Sequence, residues 1–192
     1  MTLRPGRRPV VLVGFMGAGK STVGRLLAER LSVPFVDSDD ELTARTGRTP
    51  REIFETDGEP VFRALEREVV AELVTDGGDR VVALGGGALE DAGTRALLRD
   101  AVVVHLEVSH PVVLARVGGD PGRPVLARPG LDRLHRDRLA VYRAAADADV
   151  ATDGRTPEDV AGAVLEALAD LAGAGAGQGG GVSAGSSDQL VQ

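Results

Sequence analysis

Short, mostly apolar runs alternate with amphipathic stretches along most of this 192-residue chain. Three of the runs, at residues 10–13, 81–84 and 102–108, are dominated by valine, alanine and leucine, which is typical of strands buried on both faces of a sheet. Two shorter segments, at 34–36 and 149–152, predict a further pair of strands. Because the stretches between these strands have helical spacing, the pattern predicts a parallel α/β fold.

Helical periodicity and recognisable end signals predict the helices. Thr49, Pro50 and Glu52 form a capping box with proline at the first helical position, and Gly58 is the expected stop. The other predicted helices are 20–31, a short helix around Leu42 that ends at Gly47, 60–74, a helix from Ser109 to Gly118, 131–146, and a last helix from Thr156 to about Leu171. The three helices between the second and third strands exceed what a crossover needs, so we expect a separate substrate-binding subregion there.

Three segments show neither helical nor strand periodicity. Residues 1–9 are predicted to be a flexible N-terminus. Residues 118–130, GGDPGRPVLARPG, are crowded with glycine and proline, and a loop of this length inside a compact domain predicts a lid. Residues 172–192 are rich in glycine, alanine and serine and are predicted to be a disordered tail. The predicted domain therefore spans 10–171.

Composition narrows the class of function. A formal net charge of −7 disfavours a nucleic-acid partner, because neutralising phosphates requires a basic surface. The absence of cysteine excludes a disulfide framework and fits a reducing compartment. No apolar run approaches the length of a membrane span. We therefore expect a soluble, cytoplasmic protein that acts on small molecules, without a membrane partner.

The stretch VVLVGFMGAGKST, residues 10–22, is the strongest chemical signal. Gly14, Gly19, Lys20 and Ser21 fall at the GxxxxGK[ST] spacing of a phosphate-binding loop. Glycines allow backbone N–H groups to approach the phosphates, lysine supplies a positive charge, and the serine hydroxyl is a hard ligand for Mg²⁺. The predicted ATP-binding residues of this loop are Gly14, Gly17, Ala18, Gly19, Lys20, Ser21 and Thr22.

Two further motifs follow strands and are expected at the same edge of the sheet. Asp37 and Asp39 come after the second strand, where one could hold Mg²⁺ and the other accept a proton. The alternative is that Asp39, Asp40 and Glu41 only favour a helix start through its dipole. Gly85, Gly86 and Gly87 end the third strand, and they would let a substrate lie against bare backbone, or else form only a flexible turn.

Arginines and histidines give weaker signals. Arg63 has a structural alternative as the i,i+4 partner of Glu59, Arg138 as one charge on a solvated helix face, and Arg116 as a complement to a helix dipole. Arg123 lies within the predicted lid and could neutralise charge on closure. None of the histidines, His105, His110 and His135, has metal-ligand spacing, so we predict no metal or catalytic role for them.

Taken together, these motifs resemble shikimate kinase. The resemblance covers about residues 10–171 and is carried by GFMGAGKST, DSD at 37–39, TGRTPREIFETDGEPVFRALE, LGGGA at 84–88, GRP at 122–124 and RLAVY at 138–142. Each motif occurs in other kinases, whereas the ordered set is specific.

The resemblance implies a P-loop nucleoside-monophosphate-kinase-like fold, a three-layer sandwich whose five-stranded parallel sheet carries a lid and a substrate-binding subregion. It implies transfer of the ATP γ-phosphoryl group to the 3-hydroxyl of shikimate, with Mg²⁺ as cofactor, in aromatic amino-acid biosynthesis. We expect the enzyme to be a monomer.

The resemblance also assigns roles residue by residue. Lys20, Asp39 and Arg123 are implied to be catalytic, and Ser21 and Asp37 to serve the metal. Shikimate would be bound by Asp39, Arg63, Gly85, Gly86, Gly87 and Arg138. Arg116, Arg123 and Arg155 would complete the ATP site.

Two departures from the family and two alternative functions stay open at this point. Ala140 stands where the family often has proline, which could loosen how Arg138 is presented, and the lid segment Asp120, Pro121 and Gly122 makes its closing geometry uncertain. A gluconate-kinase-like enzyme would share the loop and an acidic motif, but it has less use for two carboxylate-binding arginines. A nucleotide-binding regulator without phosphotransfer is disfavoured by Asp39.

Overall fold

Five short strands form one parallel sheet in the order β2-β3-β1-β4-β5. The computed structural model describes residues 8–76, 78–117 and 130–176. The strands are β1 (Val10–Val13), β2 (Phe35–Asp37), β3 (Val81–Ala83), β4 (Val102–Glu107) and β5 (Ala148–Ala151). All residues of β1 and β3 are buried, because helices cover both faces at the centre of the sheet. The predicted parallel α/β fold is confirmed.

Eight α-helices connect and cover the strands in the described part of the chain. They are α1 (Lys20–Leu31), α2 (Ser38–Thr46), α3 (Pro50–Asp57), α4 (Glu59–Thr75), α5 (Ala92–Leu97), α6 (His110–Val117), α7 (Leu131–Ala145) and α8 (Pro157–Ala176). Two 3₁₀ turns, Ala88–Glu90 and Leu98–Asp100, flank α5. Helix α1 packs on α8, and α4 packs on α2, α3 and α5.

The strand register brings three motifs to one edge of the sheet. Ala83 of β3 pairs with Leu12 of β1 on one side and with Asp37 of β2 on the other. The chain therefore leaves these three neighbouring strands at the same level, just before the phosphate loop, the acidic motif and the glycine run. This is the edge at which open α/β sheets bind ligands.

Some element boundaries agree with the prediction, and others differ by one residue. Helix α2 begins at Ser38, directly after β2, because the Asp37 side chain caps it by accepting a hydrogen bond from Asp39 N at 3.1 Å. The capping box of α3 is present as predicted, with the Thr49 and Glu52 side chains each bonded to the other's backbone N–H. Strand β4 ends at Glu107, one residue before the predicted end, and β5 begins and ends one residue early.

Two helices differ more from the prediction. Helix α5 was not predicted, and Asp91 caps it by accepting from Thr94 N at 2.7 Å. Helix α8 extends to Ala176, so residues 172–176 are helical where the sequence predicted the start of a disordered tail. Residues 118–129 of the predicted lid at 118–130, the N-terminal seven residues and the tail from 177 lie outside the described residues.

Candidate active site

The phosphate loop joins β1 to α1 and places Lys20 and Ser21 in the first turn of that helix. Gly19 precedes the helix with a φ of 91°, and among the described residues no side chain caps the helix start. The first backbone N–H groups of α1 are therefore available to an anion, and the positive end of the helix dipole favours one.

Lys20 lies across the loop that precedes it. Its ammonium group donates hydrogen bonds to the carbonyl oxygens of Gly14 at 2.8 Å and Phe15 at 3.3 Å. Gly14 is required for close packing, because an added Cβ atom would lie 2.5 Å from the Leu106 carbonyl oxygen. The neighbouring strand β4 therefore fixes the position of the loop, and the Lys20 side chain lies against the loop backbone.

Ser21 and Asp37 meet at the base of the loop. The Ser21 hydroxyl donates to Asp37 Oδ2 at 2.6 Å, while Asp37 Oδ1 accepts from the backbone of Asp39. One carboxylate therefore links the first turn of α1 to the first turn of α2. A hydroxyl and a carboxylate oxygen beside a phosphate site are the hard donors that Mg²⁺ prefers.

Asp39 lies directly against the glycine run. A Cβ atom added to Gly85 would be 2.6 Å from Asp39 Oδ1 and 3.2 Å from Glu66 Oε1. Ser38, which is buried beside them, accepts a hydrogen bond from Gly85 N at 3.0 Å and holds this backbone in place. The bare backbone predicted for a substrate is present, with two carboxylates on its border.

Arg63 of α4 and Arg138 of α7 converge on the other end of the glycine run. A Cβ atom added to Gly87 would lie 2.8 Å from Arg63 Nη2 and 3.2 Å from Arg138 Nη2. Their side chains are only 15% and 16% exposed, so neither is one more charge on a solvated helix face. The structure therefore brings together two guanidinium groups that are 75 positions apart in the sequence numbering.

Three carboxylates surround this arginine pair. Glu66 pairs with Arg63 Nη1 at 2.6 Å, and Glu90 contacts Arg63 Nη2 and Arg138 Nε at 2.8 Å each. The i,i+4 contact with Glu59, considered from the sequence, is also present, at 3.5 Å. Burial raises the pKa of the Glu66 carboxyl above its usual value, and its ion pair with Arg63 only partly offsets that effect.

Helix α7 continues through Ala140, which is exposed, so the absent proline does not interrupt the helix that carries Arg138. Besides its contact with Glu90, the Arg138 guanidinium lies 5.8 Å from the centre of the Phe15 ring in the phosphate loop. Tyr142, one turn further along α7, donates a hydrogen bond to the Gly86 carbonyl. Arg138 is therefore placed against the phosphate loop, and the helix that carries it is bonded to the glycine run.

Arg116 and Arg155 lie on the far side of the phosphate loop. Arg116 Nη1 donates to the Gly17 carbonyl at 2.9 Å, and Arg116 Nη2 donates to the Thr152 carbonyl at 3.0 Å. A cavity of about 280 Å³ opens there, lined by Gly17, Ala18, Gly19, Thr22, Val23, Arg116, Thr152, Arg155, Pro157 and Val160. It adjoins the loop on the side away from Asp39, where the base of a bound nucleotide could lie.

A larger cavity, of about 720 Å³, lies elsewhere. Its lining includes Arg8, Ala101 and Asp147, which precede β1, β4 and β5 and therefore mark the amino ends of those strands. It contains none of the predicted site residues. Geometry and chemistry favour the edge that carries the phosphate loop, despite its smaller cavity.

Two of the three histidines have hydrogen-bond partners: His135 Nε2 lies 2.8 Å from the Val108 carbonyl oxygen, whereas the buried Nε2 of His110 has no partner among the described residues. His105 is buried, and its Nδ1 lies 2.6 Å from Asp149 Oδ1 on the neighbouring strand. Glu107 is close enough that the three side chains could share an ion, although Arg143 also pairs with it at 2.8 Å. This cluster was missed from the sequence, because it forms across two strands rather than along one.

Most predicted site residues converge at one edge, and some residues were missed. Arg123 and the segment Asp120, Pro121 and Gly122 lie outside the described residues. Ser38, Glu66 and Glu90 were not predicted as site residues from the sequence. Ser38 lies inside the acidic motif and Glu66 lies one helical turn after Arg63, and these two positions were signals that could have identified them. For Glu90 no local signal was available.

The sequence profile of the shikimate kinase family matches residues 16–169. A shikimate kinase from Streptomyces avermitilis is 49% identical over 162 residues, which cover 83% of this chain and 94% of that protein. One from Thermobifida fusca is 48% identical, with 84% and 95% covered.

Solved structures agree with these sequence matches. Shikimate kinase from Acinetobacter baumannii, in complex with shikimate, superposes with a TM-score of 0.78 at 37% identity, covering 85% of this chain and 94% of that one. A gluconokinase from Sinorhizobium meliloti gives a TM-score of 0.65 at 20% identity, a likeness that concerns the fold alone.

Proposed function

The chain belongs to the shikimate kinase family, and we propose that the crevice at this sheet edge binds ATP and shikimate and phosphorylates the 3-hydroxyl of shikimate. The enzyme is an ATP-dependent shikimate kinase. The proposal concerns which residues carry each step, and it divides the crevice into an anchor for the acceptor, a phosphate site and a nucleotide side pocket.

The convergence of Arg63 and Arg138 on Gly87 is the observation that carries the assignment of the acceptor site. Shikimate is a small carboxylate with several hydroxyl groups. Two guanidinium groups beside a wall without side chains suit its carboxylate, since arginine binds such a group through paired hydrogen bonds. The Asp39 carboxylate at the other end of the glycine run is an acceptor for its hydroxyls. One end of the ligand is thereby fixed by charge and the other by hydrogen bonds.

Asp39 is proposed to orient the reacting hydroxyl and to accept its proton. As the hydroxyl oxygen bonds to the γ-phosphorus, the bond from that phosphorus to the β–γ bridging oxygen breaks, and ADP leaves with the released charge. Phosphoryl transfer proceeds through a loose transition state that needs alignment and charge neutralisation more than covalent help. Lys20 and the first N–H groups of α1 are the neutralising groups.

Ser21 and Asp37 fit a Mg²⁺ ion by their chemistry, as a hydroxyl and a carboxylate in contact beside the phosphate loop. They would hold the ion that accompanies ATP. When bound, that ion supplies positive charge for the β- and γ-phosphate oxygens.

The cavity of about 280 Å³ beside Arg116 and Arg155 is proposed to receive the nucleoside part of ATP. Arg116 is anchored to the loop carbonyl of Gly17, so its guanidinium plane borders that cavity without adding to the acceptor site. The role of Arg123 over the phosphates stays a prediction from the sequence.

The two alternative functions are not favoured. Relatives at 48–49% identity over more than four fifths of the chain are shikimate kinases, whereas the gluconokinase likeness is at 20% identity. Gluconate also carries a carboxylate, so the arginine pair alone does not separate the two acceptors. A nucleotide-binding regulator without phosphotransfer would have no need for a carboxylate such as Asp39 beside the glycine run.

Measurement of ADP release with shikimate, gluconate and a nucleoside monophosphate as acceptors tests the proposal. We expect turnover that depends on shikimate and on Mg²⁺, with the two other acceptors at background. Equal or faster turnover with gluconate would contradict the assignment of the acceptor. ADP release that no acceptor stimulates would contradict phosphotransfer to a small molecule.

The wider setting is inferred from the family and from composition. We infer that the product serves aromatic amino-acid biosynthesis in the cytoplasm. No helix in the described part of the chain is long and apolar enough to cross a membrane. The monomeric state and the lack of a nucleic-acid or membrane partner stay predictions.

A further inference from the structure

We propose that Glu90 acts as an internal stand-in for the substrate carboxylate: it bridges Arg63 and Arg138 in the unliganded enzyme and must withdraw before shikimate can be anchored. The inference rests on the proposed function of these two arginines. It adds a residue that sets the affinity for the acceptor.

The geometry of Glu90 matches that of a bound carboxylate. Its Oε2 lies 2.8 Å from Arg63 Nη2 and its Oε1 lies 2.8 Å from Arg138 Nε, so each oxygen serves one guanidinium. The two arginines come from different helices, α4 and α7, and among the described residues Glu90 pairs with both of them. It can do so because the 3₁₀ turn Ala88–Glu90 follows the glycine run directly.

Exposure decides which partner can move. The Glu90 side chain is 37% exposed, whereas the arginine side chains are 15–16% exposed. Glu66, the other carboxylate on Arg63, is 4% exposed and is held on the same helix. Glu90 can therefore rotate into water with its charge hydrated, while the arginines and Glu66 stay in place.

The net charge of the cluster also favours withdrawal of Glu90 when a substrate carboxylate binds. Apart from Glu59, which is 57% exposed and hydrated, Arg63 and Arg138 carry two positive charges and Glu66 and Glu90 carry two negative ones, so these four side chains sum to zero. A substrate carboxylate added to the full set would leave an excess negative charge within a half-buried cluster. Withdrawal of Glu90 restores neutrality, because the substrate carboxylate takes its place.

The consequence is a lower apparent affinity for shikimate. In the closed arrangement Glu90 bridges the two arginines, and in the open arrangement it has turned into water. A ligand that binds only the open arrangement has its apparent affinity multiplied by the fraction of molecules in that arrangement. Because the Glu90 contacts are partly exposed, they hold the closed arrangement only modestly. We expect removal of the Glu90 charge to strengthen shikimate binding by roughly 3- to 10-fold.

The test compares Glu90→Gln with Glu59→Gln in the full-length enzyme. Both substitutions remove one negative charge next to Arg63, but Glu59 is 57% exposed, lies 3.5 Å from Arg63 Nε and does not bridge the pair. We expect the KM for shikimate to fall roughly 3- to 10-fold in Glu90→Gln and less than about twofold in Glu59→Gln, with the KM for ATP unchanged in both. An unchanged or raised KM for shikimate in Glu90→Gln would overturn the proposal, since Glu90 would then be inert or would hold the arginines in position for the substrate.

Binding of shikimate methyl ester provides the second readout, because the ester has no carboxylate that could compete with Glu90 for the two arginines. We expect Glu90→Gln to leave binding of the ester, measured by calorimetry, within about twofold of wild type, and an equal gain for acid and ester would overturn the proposal. A wild-type enzyme without shikimate-dependent turnover would instead contradict the proposed function. Calorimetry with shikimate would still report on Glu90 in that case, and thermal unfolding checks that both variants are folded.

Discussion

Asp39 has different surroundings from Asp40, the acidic residue that follows it. Asp39 borders the glycine run, whereas Asp40 is exposed in the same first turn of α2. Both charges favour the helix start through its dipole, so the structural alternative considered from the sequence applies to Asp39 as well. The two residues therefore form a matched pair that separates the helix effect from catalysis.

The Asp39→Asn variant should lose turnover while it keeps its nucleotide site. We expect kcat to fall by roughly 10²- to 10⁴-fold, the usual range for loss of a positioned proton acceptor, while the Kd for ATP changes less than about twofold. Asp40→Asn should retain full activity. Steady-state kinetics and nucleotide titration check this, and loss of ATP binding together with turnover would show that Asp39 is structural.

The raised pKa of Glu66 makes the free energy of unfolding depend on pH. Burial raises the pKa of this carboxyl in the folded state, so the folded protein holds the proton more tightly than the unfolded chain does. Stability supplied by the protonated form is complete below the unfolded value, near 4.5, and is lost as the pH rises through the folded pKa.

The Glu66→Gln variant should lack this pH dependence. We expect the free energy of unfolding of wild type to fall relative to that of Glu66→Gln as the pH rises from about 4 towards neutrality, because the ionised carboxylate is desolvated. Urea titrations at several pH values measure the difference, with Glu68→Gln on the exposed face of α4 as the control. If the difference in free energy of unfolding between wild type and Glu66→Gln stays constant with pH, the ion pair with Arg63 cancels the cost of burying the Glu66 carboxylate.

At the scale of elements, two glycines in helices differ in what surrounds them. A Cβ atom added to Gly24 of α1 would lie 2.4 Å from the Phe35 ring on β2, whereas one added to Gly162 of α8 would meet only Arg30 Nη1, at 3.8 Å. Gly24 therefore sets how closely α1 approaches the sheet, and with it where Lys20 and Ser21 sit relative to Asp37.

Alanine substitutions at these glycines should change stability in opposite directions. Gly162→Ala should raise the free energy of unfolding by about 0.5–1 kcal/mol through helix propensity. Gly24→Ala should lower it by about 1–3 kcal/mol, because overpacking against Phe35 outweighs the same gain. Chemical denaturation measures both, and a stabilised Gly24→Ala would show that α1 can move away from β2 at little cost.

Elements with local signals were predictable from the sequence, and elements without them were not. The capping box at Thr49 and Glu52 and the valine-rich strands were found because their determinants are contiguous. Helix α5 was missed because six residues are too few for apolar periodicity to appear. Helix α2 begins at Ser38 because the Asp37 side chain caps it. From the sequence, Asp37 was considered only as a metal or catalytic residue, so this start could not be predicted.

At the scale of the whole molecule, the strand order assembles the site. With β3 between β1 and β2, the phosphate loop, the acidic motif and the glycine run leave the sheet side by side. The motif residues could be predicted because each lies in a short recognisable pattern. Glu90 could not, since its contacts with Arg63 and Arg138 span 27 and 48 positions and exist only once the chain has folded.

The central claim is that this crevice anchors the shikimate carboxylate between Arg63 and Arg138, with the hydroxyls towards Asp39. A crystal structure of the enzyme with shikimate and a non-hydrolysable ATP analogue tests it most directly. We expect the ligand carboxylate within about 3 Å of both guanidinium groups, a ring hydroxyl at the same distance from Asp39, and Glu90 turned away from the arginines. A shikimate carboxylate bound elsewhere, with Glu90 still bridging the two arginines, would contradict the account.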